Sequence, residues 1–138
     1  MRIYVAGKWA DKALIRSRMT QLEALGHTIT YDWTKHKENK TQQTEYATEA
    51  AADYVGVTQA QLFIAFMDDP NYAYNGTFTE MGIALGRKTP VVIVTPHLVF
   101  DPKAVAFYRN CYTSLPLVRL VGTLEEALVN WAYVLLLF

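Results

Sequence analysis

The chain has 138 residues, 51% hydrophobic and 19% charged, the balance of a soluble globular domain rather than of a disordered segment. Thirteen basic residues offset thirteen acidic ones, which removes any general electrostatic pull toward nucleic acid or an anionic membrane. One cysteine, Cys111, excludes an internal disulfide and fits a reducing cytosol.

Residues 3–6 read as a first strand buried on both faces, ended by Gly7, after a start too short in apolar residues for a signal peptide. Residues 11–25 read as a helix with Leu14, Met19, Leu22 and Leu25 as its apolar stripe and Gly26 as its stop. The alternation over residues 28–33 predicts a second strand, and the polar segment 35–43 a solvated loop. Residues 45–59 are Ala-rich and predict a helix with Ala47, Ala51, Tyr54 and Val55 on its apolar face. Residues 62–67 form the third strand, 77–85 a helix and 91–95 the fourth strand. After a loop through Pro96 and Pro102, residues 117–121 read as a fifth strand. Thr123 then starts a last helix with Glu125 and Glu126 in its first turn, where the helix dipole favours acids. The longest apolar run, 131–138, is well under the roughly 20 residues that span a bilayer. The expectation is one soluble, cytoplasmic domain over residues 1–138, with no partner membrane or nucleic acid.

Strands alternating with helices through right-handed crossovers predict an α/β three-layer sandwich with a five-stranded, mostly parallel, flavodoxin-like sheet. Ligands bind such folds beyond the carboxyl ends of the strands. Those ends carry Gly7-Lys8-Trp9, Asp68-Asp69-Pro70 and Thr95-Pro96. At the same edge lies Asn75-Gly76-Thr77-Phe78-Thr79-Glu80-Met81-Gly82-Ile83-Ala84, a loop turning into a helix whose first turn carries Glu80.

Several motifs are missing. There is no Gly-x-x-x-x-Gly-Lys-Ser/Thr, and the first loop has no Gly-x-Gly-x-x-Gly. His27, His36 and His97 have no paired spacing with Cys or acids, so no metal site is expected. Ser17 and Ser114 lack a nucleophile-elbow context, and Cys111 reads as a buried thiol rather than a nucleophile. Glu80 admits two compatible readings. Thr77 and Glu80 fit a capping box, and a carboxylate fixed at a helix terminus is held ionised and oriented, as a nucleophile needs. Asp53, taken alone, reads as a solvated helix acid. Tyr4 is either a core tyrosine or a phenol bonded to a carboxylate in the crevice. Trp9 and Trp33 either pack or sandwich a flat ligand such as a nucleobase.

Three pieces, in this order and spacing, resemble the nucleoside 2-deoxyribosyltransferase family, which includes deoxynucleoside 5'-monophosphate N-glycosidases. They are Ile3-Tyr4-Val5-Ala6-Gly7-Lys8-Trp9, Asp53 ahead of the third strand, and the segment from Gly76 through Glu80 to Ala84. The resemblance covers about residues 3–95. It implies that Glu80 is the nucleophile, forming a covalent deoxyribosyl ester that a second base or water resolves with net retention. It implies that Asp53 protonates the leaving base and that the Tyr4 hydroxyl holds the nucleophile. Substrate binding falls by the same resemblance to Gly7, Trp9, Trp33, Asn75 and Gly76, with Asp32 beside Trp33. The implied chemistry takes a nucleoside and a nucleobase and needs no cofactor.

The chain departs from the family pattern at Tyr74, where transferases often carry an Asp and the nucleotide hydrolases a Ser. It also lacks the hydrolases' Gly/Arg-rich first loop, although Lys8 and Arg16 are nearby cations. The balance leans toward nucleosides over nucleotides and transfer over hydrolysis. The resemblance further implies a homodimer or larger homo-oligomer whose neighbouring subunit completes the pocket, with Asn110 or Ser114 as candidates and the apolar tail 134–138 in the contact. A function of another class stays open: a non-catalytic nucleotide-binding module, since one fold hosts many functions. Hydrolysis of deoxynucleosides or their 5'-monophosphates also stays open.

Overall fold

A computed structural model describes residues 1–97 and 110–129 of the chain. The sheet is built from β1 (Arg2–Ala6), β2 (Thr28–Ile29), β3 (Leu62–Phe66), β4 (Val91–Val94) and β5 (Val118–Val121). All four pairings are parallel and the spatial order is β2-β1-β3-β4-β5. That is the flavodoxin-type order expected from the alternating pattern, with its switch point between β1 and β3. Every residue of β3 and β4 is buried, as central parallel strands covered on both faces must be.

The helices are α1 (Lys12–Ala24), α2 (Gln43–Gln59) and α3 (Asn75–Gly86), with a fourth, α4, over 124–129 where the described residues end. Successive side chains of β1 point to opposite faces. Tyr4 points toward α2 and α3, whose side chains bond its hydroxyl. Gly7 points the other way, where an added Cβ would lie 2.6 Å from Cδ1 of Ile15 on α1. Helices therefore cover both faces, and the three-layer sandwich follows.

Local differences from the sequence reading have physical causes. α1 buries Ile15, Met19 and Leu22, an i, i+4, i+7 stripe, while Leu14 and Leu25 stay exposed at its margins. β2 stops after two residues because Asp32 accepts the Thr34 amide at 3.0 Å, turning residues Trp33–Lys35 into a 3-10 turn. Cys111 is exposed, not buried, because it opens a short 3-10 turn ahead of β5.

The largest correction concerns α2. Tyr54 and Val55, with Ala47 and Ala51, face solvent; the face turned inward carries Gly56 and Val57, together with the partly covered Glu49 and Asp53. Gly56 allows this seating, since a Cβ there would lie 2.7 Å from Cβ of Tyr31 and 3.1 Å from the Tyr4 ring. The segment ahead of α2 is mostly exposed, as read, but ion pairs tie it down. Lys37 pairs with Glu45 and Lys40 with Glu49, each at 2.7 Å, and Lys12 pairs with Glu38. The loop through Pro102 beyond residue 97 and the apolar run 131–138 lie outside the described residues.

Candidate active site

Tyr4 is fully buried in the middle of β1, so its hydroxyl needs protein partners. It finds two carboxylates. The phenol lies 3.2 Å from Oδ1 of Asp53 on α2 and donates to Oε2 of Glu80 on α3. Its ring stacks on Phe63 of β3, with centroids 5.6 Å apart and planes 14° from parallel, which fixes its direction. Residues 4, 53 and 80 thus meet from three separate elements.

Glu80 is not the capping-box acid the spacing allowed. α3 starts at Asn75, two residues earlier than expected, behind Tyr74 in the left-handed conformation at φ 51°. Glu80 therefore stands in the second turn, aimed at Tyr4 rather than at orphan amides. It is not held ionised by the helix terminus either. Burial pushes its carboxyl up to about 7; the Tyr4 hydrogen bond opposes this and the Asp53 charge adds to it. Burial also raises the Asp53 carboxyl, against the lowering effect of His36 and of the Tyr4 hydrogen bond. Burial, then the charges of Glu80 and Asp53, push the Tyr4 phenol far above its ordinary value, so it remains a proton donor. One hydroxyl proton serves two acids. The pair therefore retains a proton near neutrality, and its two ionisations belong to the pair rather than to either acid.

These groups open into a cavity of about 230 Å³ lined by Gly7, Trp9, Trp33, His36, Asp53, Tyr72, Tyr74, Gly76, Thr77 and Glu80. Of the residues expected from sequence, Gly7, Trp9, Trp33, Asp53, Gly76 and Glu80 line it, with Tyr4 behind the two acids. Asn75 does not; it is exposed at the start of α3, and its neighbours Tyr74 and Gly76 take the wall. Trp33 is buried with its indole N–H donating to the Val5 carbonyl at 2.6 Å, and Trp9 leans against it at 6.0 Å between centroids. Asp32 is spent on the turn at Thr34.

Sequence reasoning missed His36, Tyr72, Tyr74 and Thr77 as wall residues. For His36 the available signal was its place three residues after Trp33, at the head of a segment read as loop. For Tyr74 it was a bulky aromatic directly before the turn into α3. Tyr74 is buried, and its hydroxyl accepts the Asp69 amide at 3.0 Å, which anchors an otherwise unfavourable backbone conformation. The two nearby cations are both engaged by protein groups. Lys8 pairs with Asp69 at 3.2 Å, and Arg16 donates to the Thr34 hydroxyl and carbonyl at 3.0 and 2.9 Å.

Among the described residues no group of three or more His, Cys, Asp or Glu side chains is placed to hold a metal ion. No helix among them is long and apolar enough to cross a membrane. Chemically, two carboxylates that share a phenol and retain a proton between them near neutrality can offer both an acid and an ionised carboxylate to a ligand held beside aromatic walls.

The sequence profile of the family described as nucleoside 2-deoxyribosyltransferase matches residues 3–109. Among solved structures, the chain is similar to the CMP N-glycosidase BcmB of Clostridium botulinum, at 19% identity over 92% of each chain with a TM-score of 0.58. It is also similar to a 2-deoxyribosyltransferase of Bacillus psychrosaccharolyticus, at 20% identity over 70% of this chain and 73% of that one, TM-score 0.59. The solution structure of BlsM is similar at 16% identity over 92% of this chain and 83% of the other, TM-score 0.54. No curated protein matches the sequence.

Proposed function

The chain belongs to the nucleoside 2-deoxyribosyltransferase family, and on that premise we propose that it cleaves the N-glycosidic bond of 2'-deoxynucleosides and transfers the sugar to another nucleobase. The observation that carries this reading is one phenol, Tyr4, bonded to two acids from different helices at the wall of an aromatic cavity. Ionised Glu80 attacks the anomeric carbon. The bond from that carbon to the base nitrogen breaks, its electron pair goes to the base, and protonated Asp53 supplies the proton. The resulting glycosyl ester on Glu80 is opened by an incoming base, which returns a proton to Asp53 and leaves the sugar configuration retained. Tyr4 supports the reaction by donating to whichever carboxylate carries the charge, so neither is left ionised without a partner.

Nucleosides are favoured over their 5'-monophosphates because Lys8 and Arg16 are engaged by Asp69 and Thr34 and are not free to bind a phosphate. Hydrolysis is the competing outcome, because water can replace the second base in the same pocket. Self-association is supported by the exposed Tyr54 and Val55 on the outward face of α2.

The test is chromatographic. A deoxynucleoside incubated with a different free base should give a new deoxynucleoside, and Glu80→Ala should abolish it. Intact-mass measurement of enzyme with substrate alone should show one added deoxyribosyl unit, missing from the Glu80 variant. Release of free base with no new nucleoside would replace transfer by hydrolysis. Ligand-induced thermal stabilisation that survives Glu80→Ala, with every deoxynucleoside left intact, would instead identify a binding module.

A further inference from the structure

His36 lies in the cavity wall but has no part in the three-residue chemistry above. Its side chain is nearly covered. Nδ1 is 3.4 Å from Oε2 of Glu49, and Nε2 is 3.8 Å from Oδ1 of Asp53 and 3.0 Å from the Tyr31 hydroxyl. The ring stacks on Trp9, centroids 6.4 Å apart and planes 23° from parallel. Glu49 and Asp53 are one helical turn apart on α2, so they form one acidic edge, and the imidazole sits against both. Lys40 closes the far end by pairing with Glu49 at 2.7 Å.

We propose that His36 is a positioning residue acting through Asp53: anchored by Glu49 and by the stack on Trp9, its ring, held 3.8 Å from Oδ1, favours the carboxylate form that Asp53 reaches on giving up its proton. The inference rests on the glycosyl-transfer reading, since only there does Asp53 pass a proton to a leaving base. The chemistry is balanced by that transfer alone: the proton leaves the Asp53 carboxyl for the base nitrogen, and none passes to or from His36.

The groups facing Asp53 separate by sign. Burial and the Glu49 charge hold its proton on; His36, Lys40 and the Tyr4 hydrogen bond favour its loss. Tyr4 reaches it from β1, Tyr31 and His36 from the segment after β2, Lys40 from the loop ahead of α2, Glu49 from α2 itself, and Glu80 from across Tyr4 on α3. A buried acid without such opposition clings to its proton and is a weak general acid. His36 is the cation-forming side chain closest to the Asp53 carboxylate among these groups.

The test follows Asp53 itself. With carboxyl-labelled aspartate and Asp53→Asn for assignment, the Asp53 carboxyl carbon is titrated by NMR in wild type and in His36→Phe. Phe keeps a flat ring on Trp9 and removes both nitrogens. The expected result is an Asp53 midpoint about one pH unit higher, the low end for losing an opposite charge at this range. The alkaline limb of kcat/KM for a deoxynucleoside moves up by the same interval, with KM changed less than kcat. His36→Gln, which leaves room and polarity without charge, gives the same displacement and serves if the Phe variant does not fold. An Asp53 midpoint that stays at the wild-type position in the folded variants overturns the proposal. The titration needs no turnover, so a wild type inert toward deoxynucleosides would refute the glycosyl reading separately from the His36–Asp53 coupling.

Discussion

At the scale of single residues the decisive quantity is the environment of Glu80. Its carboxyl is raised to about 7 chiefly by burial, so near neutrality it divides between an acid and the carboxylate needed for attack. The sign of the linked stability effect follows. Across the interval between its ordinary value and about 7, folded Glu80 keeps a proton that the unfolded chain has released, so this group's contribution to stability declines as pH rises. The loss should be on the order of 3–4 kcal/mol once pH exceeds the upper value, at about 1.4 kcal/mol per unit. Urea unfolding of wild type at about pH 5 and about pH 8 should therefore show a gap that Glu80→Gln largely removes. An equal gap in the variant would mean that this carboxyl is not the buried acid. Asp53 is half-legible in the same sense: the sequence offers a helix acid, and only its 3.2 Å approach to the Tyr4 hydroxyl distinguishes it from a solvated one.

At the scale of elements, α2 explains how the site is assembled. An Ala-rich helix has a weak apolar pattern, and the one visible in the sequence points outward. The inward face is chosen by fit: Gly56 lies where a larger residue would meet both Tyr4 and Tyr31. Gly56→Ala makes the weight of that fit measurable. Alanine gains up to about 1 kcal/mol of helix propensity, but a Cβ 2.7 Å from Cβ of Tyr31 must displace backbone or ring. Overpacking of this kind costs about 1–3 kcal/mol, so the expected net effect is a lower unfolding midpoint, with activity falling as Tyr4 shifts. A variant as stable and active as wild type would show that α2 has freedom to move. The loop ahead of α2 is similarly set by tertiary contacts. It is mostly exposed, as its polar sequence reads, and Lys37 and Lys40 also tie it to Glu45 and Glu49.

At the scale of the whole molecule, the outward face of α2 leaves Tyr54 and Val55 uncovered. An exposed aromatic beside an exposed aliphatic side chain on one helix face is what a self-association surface uses. If a second copy covers them, Tyr54→Glu should weaken association at least about tenfold, roughly 1.4 kcal/mol, as read by sedimentation over a concentration series. An unchanged mass distribution would place any self-association elsewhere. Activity falling along with association would tie the site to the assembled form.

The order of elements and the parallel sheet were legible in the sequence, because strand and helix periods are local and a crossover rule joins them into few topologies. The convergence of residues 4, 53 and 80 entered as a family resemblance, and no local pattern encodes it. Which face α2 buries, that α3 begins at Asn75 and so turns Glu80 toward Tyr4, and that His36 joins the wall were decided by tertiary structure alone. Those features depend on distances across the fold and on the desolvation of charged groups, and both come into being only when the layers pack.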